Sequence, residues 1–522
     1  MLFDYPIIMG IDYYKIVPVD MYPEDFDTVT SYWTPRKSRI EGQHEVVVFG
    51  LQHFVQEYLI DRFDRNFFKR DIDEVISQLE RYLKHTFYTE GTKIDLSHVR
   101  KLHALQQLPL IIRGLPEGTL CPIGVPMFSV QNTHGKDFVW VVTYVEDLIS
   151  SHLWHGMTSA TQGYRLRQLA DEWYEQTVDG DISEATAMGD FSLRGQTNFE
   201  AAMLSSAGFL LSFRASSNML ANWFLEKYYG ADIETEIVGK GMPSTEHSVM
   251  CSYGKEGEHV IVRKILARYP TGPVSIVGDA YDYWNFIETV IGGLKDEILS
   301  RDGTVFVRGD SGDPVDVITG DPSASDIRAR KGTMELLWDM FGGTTNDKGY
   351  KVLDPHIRCI YGDGITHERA QAIYTRLATK GFASNNVALG IGAFTMQYNT
   401  RDTFGFALKM THATTVNGED VFIYKDPITD QNSEKKSHKG LCLVADTFHT
   451  YVLNDQIDCT RHRLSVRDQL TKQQLEEEAG IDLYQMYYHP KPTAPGVDKP
   501  TDALQPPVTL NQIRKLLHEK GV

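Results

Sequence analysis

Four short apolar runs, each closing on glycine and three of them also on an acid, constrain the fold of this chain most. They are residues 274–282 (VSIVGDAYD), 305–314 (VFVRGDSGDP), 357–364 (IRCIYGDG) and 387–392 (VALGIG). A fifth loop, 242–248 (MPSTEHS), lies just upstream. Short β-rich apolar runs of this length read as buried strands. In a parallel α/β barrel the chemistry collects where each strand hands over to its loop. Carboxylates, an arginine, a histidine and glycine turns gather there, a set suited to an anionic, phosphorylated substrate and a reaction that builds positive charge.

At 522 residues the chain exceeds one simple core, so two domains are expected. The alternating helix and strand pattern of 151–400 reads as an irregular parallel α/β barrel carrying the active site. Residues 1–150 and 401–522 share a β-rich style and read as one discontinuous domain. The net charge of −18 argues against nucleic acid or an anionic membrane as partner. The five cysteines (Cys121, Cys251, Cys359, Cys442, Cys459) form no C-x-x-C pair, so neither a zinc site nor a disulfide framework is expected. No apolar run is long enough to cross a membrane, and a reducing, cytoplasmic location is the simplest reading.

Along the chain, residues 45–49 (EVVVF), 120–125 and 138–145 (FVWVVTYV) read as strands, and 72–85 as a helix. Residues 164–178 are amphipathic, and a further helix begins at 201–207. Residues 367–380 put Ala370, Ile373, Tyr374 and Leu377 on one helix face, with Thr366 as N-cap and Gly381 past the end. Residues 316–350 are polar and glycine-rich and read as a surface excursion. Strands are expected at 404–410, 421–424 and 440–444, an extended proline-rich stretch at 488–508, and a short terminal helix at 509–520.

Taken singly, each chemical residue has a bland alternative. Arg308 and Asp310 read either as a surface ion pair or as a paired device at the barrel mouth, the arginine binding phosphate or diol oxygens and the acid facing a developing cation or metal-bound water. Asp279, Asp282 and Asp363 end neighbouring strands, which favours the site. His247, behind Glu246, is a packing residue or a general acid/base or phosphoryl nucleophile. Gly390 and Gly392, followed by Arg401 and Lys409, read as a phosphate cradle. Phe191, three residues from Arg194, is core or a stacking platform for a flat ring.

The segments DFSLRG, KYYG, MPSTEHS, GDAYD, VRGDSGDP, YGDGI, GIGAFTMQYNTRD and YKDP, in this order, together resemble the nicotinamide phosphoribosyltransferase family. So does the start, DYYK then YPEDF then SYW. The likeness runs from about residue 10 to 445 and is poor at 316–350 and beyond about 480. It implies a type II phosphoribosyltransferase fold and a homodimer with shared active sites. The implied reaction joins nicotinamide to 5-phosphoribosyl 1-diphosphate, giving nicotinamide mononucleotide and diphosphate in NAD salvage, with Mg2+ as cofactor and ATP as coupled substrate.

Position by position, the resemblance implies that Phe191 and the partner's Tyr14 sandwich the nicotinamide ring. Arg194 and Arg308 line the pocket, and Asp310 sits by the ribose and base. Asp282 serves donor and magnesium, with Asp310 reaching the metal through water. Gly362 and Asp363 hold ribose hydroxyls, and Gly392, Ala393 and Arg401 hold the 5′-phosphate. Lys409 lies nearby, while Arg36, Lys425 and Lys435 come from the partner. His247 matches the histidine that the family phosphorylates, with Glu246 orienting it.

Two departures stand out. Where the family has an aspartate that accepts a hydrogen bond from the nicotinamide amide, this chain has Ser217, and residues 216–218 also resemble nicotinate phosphoribosyltransferases. An acceptor-only carboxylate repels an acid, whereas serine can donate or accept, so nicotinate stands as alternative base. Where the family has consecutive glycines, this chain has Gly392, Ala393 and Phe394, which admits ADP-ribose diphosphate as alternative donor. A relative that binds metabolites without turnover is the non-enzyme alternative.

Overall fold

The computed structural model describes residues 4–180, 188–430, 435–453, 456–490 and 508–518. The chain partitions into two compact units. One comprises Met1–Thr158, Lys227–Gly230 and Asn399–Val522, the other Ser159–Glu226 and Ala231–Tyr398.

The first unit is built on a six-stranded antiparallel sheet. Its order is Asp420–Phe422, Ala407–Thr415, Phe26–Thr34, Phe128–Asn132, Leu110–Gly114 and Gln485–Tyr488. Leu110–Gly114 and Phe128–Asn132 alternate buried and half-buried residues, as one-sided strands do. Residues 138–145, expected as a strand, instead contain the helix Val139–Tyr144, packed against Phe26–Thr34 and Phe128–Asn132. Val139, Trp140, Val141, Val142 and Tyr144 are all buried, so an apolar run with no period to distinguish strand from helix is resolved by packing. Glu117 is fully buried and accepts hydrogen bonds from the Gly50 and Gln52 amides (3.0 and 2.6 Å) and the Tyr229 hydroxyl (2.9 Å). That contact ties the short return segment Lys227–Gly230 into this unit. Burial raises the Glu117 carboxyl to about 7.

The second unit holds a five-stranded parallel sheet in the order Met188–Asp190, Val387–Ile391, Ile357–Tyr361, Val305–Gly309, Val274–Val277. The four runs that opened the sequence reading are thus four adjacent parallel strands. Isolated parallel bridges continue from both edges: Asp190 to Ser216, Ala215 to Lys240, and Ser244 to Ser275. The helix His367–Thr379 starts on Thr366, whose hydroxyl accepts from the Arg369 amide (3.2 Å), and stops before Gly381 at φ +77°. Ala370, Ile373, Tyr374 and Leu377 form its buried face.

The 316–350 excursion is overturned. It folds mostly as the helices Pro314–Thr319 and Ile327–Phe341, and buries Ile318, Met334, Leu336, Leu337 and Phe341 in the core beside the parallel sheet. Its scattered charges lie on the outer helix faces and masked an apolar stripe of helical spacing. The terminal helix is Leu510–His518, and residues 491–507 of the expected proline-rich stretch lie outside the described residues. Among the described residues no helix is long and apolar enough to cross a membrane.

Candidate active site

Parallel strands deliver all their C-terminal ends to one edge of the sheet, which is why residues far apart in sequence meet there. The loop 242–247 is laced to the strand Val274–Val277. Pro243 carbonyl accepts from the Ser275 amide (2.9 Å), and Thr245 Oγ1 accepts from the Val277 amide (2.9 Å). This fixes the start of the helix His247–Ser252, where the His247 ring meets Asp279 (Nε2–Oδ1, 2.9 Å).

Asp279 is the hub of this rim. Its side chain is 4% exposed, and its other oxygen accepts from the Asp310 amide (3.1 Å) and the Ser311 hydroxyl (2.5 Å). Burial opposes its ionisation, but the bonds from Ser311, His247 and the Asp310 amide outweigh that and hold the carboxyl below its usual range. Glu246, expected to orient His247, instead accepts from its own neighbour Ser248. The orienting carboxylate is Asp279, already visible in the sequence as a strand-end acid.

Arg308 faces inward on the next strand. Its Nη2 donates to the Thr245 carbonyl (3.1 Å) and its Nε pairs with Asp310 Oδ2 (3.3 Å). Burial raises the Asp310 carboxyl above its ordinary value, Arg308 pulls it down, and Asp279 pushes it up again. Asp310 Oδ1 is buried without a hydrogen-bond partner. It lies against Gly362, where any side chain would bring a Cβ to 2.7 Å of it.

Phe191 is held by its amide on the Ile391 carbonyl (2.9 Å). Its ring rests on bare backbone: a Cβ at Gly390 would stand 2.3 Å from the ring, and one at Gly362 3.4 Å. Glycine is required beneath it for close approach. Asp190, completely buried, braces the loop from below. Its carboxylate accepts from the Ser192 amide (3.0 Å), Ser192 Oγ (2.6 Å) and Ser216 Oγ (2.9 Å). Nothing in the segment DFSLRG marks its one acid, Asp190, as buried, so the sequence alone does not assign it this role. Ser217 is exposed, and both its amide (2.9 Å) and its hydroxyl (3.2 Å) donate to the Asp190 carbonyl.

Around this cluster, Arg194 is exposed beside Gly195, whose Cα backs onto Ala393 so closely that a Cβ there would reach 2.3 Å. The loops that carry Phe191 and Gly392 therefore touch. After Gly392, Phe394 and Tyr398 stack at 5.3 Å and remain 60% and 80% exposed. Asp363 is exposed, and Asp282 accepts from the Asn285 amide (3.0 Å), capping the helical turn after it. Among the described residues no group of three or more His, Cys, Asp or Glu could hold a metal ion.

The remaining predicted residues belong to the first unit. A cavity of about 290 Å³ there is lined by Tyr32, Arg36, Lys409, Lys436, His438 and Asp468, among others. Arg36 Nε donates to the Gly405 carbonyl (3.0 Å), and Lys409 lies 3.4 Å from Glu146. Lys436, which sequence reading did not name, lines this cavity; Lys435 is exposed, its amide donating to Asp430 (2.5 Å). The Lys425 amide donates to Ser437 Oγ (2.9 Å), and its carbonyl accepts from the Ser437 amide (3.0 Å). Arg401 is half-exposed, with Asp402 at 3.6 Å, and Tyr14 is 56% exposed with the Lys15 ammonium 5.3 Å from its ring.

Comparison with known proteins gives three kinds of likeness. The model of the nicotinate phosphoribosyltransferase (NAPRTase) family matches residues 186–478. Two proteins named nicotinamide phosphoribosyltransferase are similar: one from Acinetobacter baylyi, 40% identical over 86% of this chain and 90% of its own, and one from Xanthomonas campestris, 32% identical over 82% and 86%. The crystal structure of human nicotinic acid phosphoribosyltransferase superposes with a TM-score of 0.50 at 17% identity, covering 97% of this chain and 92% of that one.

Proposed function

The chain belongs to the nicotinate phosphoribosyltransferase family, and we propose that it joins nicotinamide to 5-phosphoribosyl 1-diphosphate in NAD salvage, releasing nicotinamide mononucleotide and diphosphate. The observation that carries this is the rim where hydrogen bonds join His247, Asp279 and Asp310, and an ion pair adds Arg308, beside Phe191, in a chain 40% identical to a nicotinamide phosphoribosyltransferase.

Loss of diphosphate leaves positive charge at C1 of the ribose. Asp310, with one oxygen buried and unpartnered, is the group to face that carbon, and fixed charge in a water-poor site stabilises such a state strongly. Arg308 neutralises Asp310 until substrate arrives. Phe191, backed by glycines, offers the base a flat face, and the partner's Tyr14 covers the other. Gly362 and Asp363 take the ribose hydroxyls, and Gly392 and Ala393 the 5′-phosphate with Arg401. Lys409 lies near the phosphate site, and the cations Arg36, Lys425, Lys435 and Lys436, supplied across a homodimer, receive the diphosphate.

The residues fit Mg2+ in the manner usual for that ion, which takes one or two carboxylates and completes its shell with substrate phosphates and water. Asp282 and, through water, Asp310 would hold it, and its chemistry is to offset charge on the departing diphosphate. His247, exposed and oriented by Asp279, is the acceptor for a phosphoryl group from ATP. On this reading the parallel sheet closes as an irregular barrel, supported by the parallel bridges through Ser216, Lys240 and Ser244, and the terminal segments form one discontinuous domain, supported by the two-unit partition.

One observation favours a second donor. The exposed Phe394–Tyr398 stack beside the phosphate loop offers a platform for a further flat ring, as in ADP-ribose diphosphate. The deciding test is mass spectrometry of products formed from nicotinamide with Mg2+, ATP and either donor. Nicotinamide mononucleotide is expected, with turnover nearly abolished in a folded Asp310→Asn variant. NAD as the sole product would move the assignment to the second donor.

A further inference from the structure

We propose that Glu146 is a positioning residue for both ends of the transfer site, one oxygen of its carboxylate fixing the segment that carries Tyr14 and the other aiming Lys409. This role rests on the reaction proposed above, in which Tyr14 closes over the base and Lys409 lies near the phosphate site.

Glu146 and Asp147 open the helix Glu146–Thr177, where acids in the first turn are favoured by the helix dipole. Both hold the short helical turn Tyr13–Ile16. The Asp12 amide donates to Asp147 Oδ2 (2.8 Å), and the buried Lys15 ammonium donates to Glu146 Oε2 (2.5 Å). Burial works against the charge on Lys15, but the hydrogen bond and attraction of Glu146, with Asp147 behind it, hold its pKa above the ordinary value. Taking the carboxylate away from an enclosed ammonium is costly, so this tie is permanent. Between the two anchors Tyr14 is 56% exposed, with the Lys15 ammonium 5.3 Å from its ring. The place of that ring is set by what holds its neighbours, not by burial of its own.

The other oxygen of the same carboxylate, Oε1, faces the Lys409 ammonium at 3.4 Å. Lys409 stands on the strand Ala407–Thr415 and lines the cavity with Arg36 and Lys436. Its side chain is 40% exposed against 5% for Lys15, and its ammonium also donates to the Leu408 carbonyl (3.0 Å). The two lysines are therefore held unequally. An ion pair open to water is worth little, so a phosphate oxygen can replace Glu146 beside Lys409 at small cost. One carboxylate against two ammonium groups leaves a positive balance for an anionic donor. Glu146 acts through Tyr14 and Lys409 and is not itself a catalytic group.

The test is steady-state kinetics that measures the KM for nicotinamide and for 5-phosphoribosyl 1-diphosphate separately, in variants shown by thermal melting to be folded. Lys15→Met is expected to raise the KM for nicotinamide about tenfold and Lys409→Met that for the donor about tenfold, each leaving the other KM within about twofold. Glu146→Gln, which keeps the shape and loses the charge, is expected to raise both. In the Glu146→Gln background, Lys409→Met should add less than about threefold to the donor KM, because the lysine has already lost its aim. Lys409 is half-exposed and Glu146→Gln is isosteric, so the test stands even where Lys15→Met does not fold. A Glu146→Gln variant that lowers kcat alone, or that moves only one KM, overturns the inference, since the carboxylate then serves the fold or one end of the site. If the wild type turns over no base, the reaction assignment fails by itself. Calorimetric titration with nicotinamide and with inorganic diphosphate reads the two ends without turnover, and equal affinities in wild type and Glu146→Gln sink the role of Glu146.

Discussion

Two of the four histidine–aspartate pairs among the described residues are alike on paper and opposite in situation. In the parallel-sheet unit, His247 Nε2 meets Asp279 at 2.9 Å; the histidine is 44% exposed and the acid 4%. In the antiparallel unit, His412 Nε2 meets Asp420 at 2.6 Å; here the histidine is 1% exposed and the acid 23%. The first arrangement buries the support and presents the ring, leaving its other nitrogen for chemistry. The second buries the ring, whose Nδ1 has no partner, and uses the acid as a tie: Asp420 also accepts from the Lys472 amide (2.9 Å) at the start of the helix Lys472–Glu477. On the proposed reading, the exposed partner is what separates a reactive pair from a structural one: the ring at His247, the acid at Asp420.

Removing the buried acid of the reactive pair should have the largest effect. Asp279→Ala leaves His247, the Asp310 amide and Ser311 without their acceptor, and turnover should fall about 100-fold. Steady-state kinetics with magnesium, with and without ATP, measures this; a loss below about threefold would place the pair outside the chemistry.

The structural pair should respond in stability instead. His412→Ala should cost about 2 kcal/mol by chemical denaturation, with turnover per folded molecule unchanged. Its pH dependence has a definite sign. Burial lowers the His412 pKa from the ordinary 6.5, against the pull of Asp420. Below pH 6.5 the unfolded chain takes up a proton that the folded chain refuses, so stability falls as pH falls through that window. The slope should be shallower in His412→Gln; identical slopes would show that this ring does not sense pH.

The smallest effect is expected at Glu246, whose carboxylate is engaged by Ser248. Glu246→Gln should change ATP stimulation by less than about twofold. A loss comparable to that of Asp279→Ala would return the orienting role to Glu246.

These contrasts also mark what the sequence made legible. The parallel strands were readable because 274–277, 305–309, 357–361 and 387–391 are short, mostly apolar, β-rich runs ending in glycine or at a glycine. The same rule misread residues 138–145, where continuous burial belongs to a helix lying on a sheet. It misread 316–350 too, where polar residues hid a stripe ending at Leu337 and Phe341. Within the site, Arg308 and Asp310 announced themselves at a strand end and His247 by its loop among the strand ends. Their supports did not. Glu246 adjoins His247 in sequence and Asp279 adjoins it in space, and only the parallel pairing of strands decides between them. Asp190 is one acid among 70 acidic residues until its burial singles it out.

The antiparallel sheet has a consequence for synthesis. The hydroxyl of Tyr32, on its central strand, accepts a hydrogen bond from the Cys442 amide at 3.0 Å, and the two residues are 410 positions apart. At roughly 5–20 residues per second a ribosome needs about 20–80 s to span that interval. For most of it, the strand Phe26–Thr34 waits with one edge unpaired, because its partner Ala407–Thr415 has not been made. All of Ser159–Tyr398 emerges during that wait, so the parallel-sheet unit can fold first. The exposed edge of Phe26–Thr34 is then the surface most in need of a chaperone.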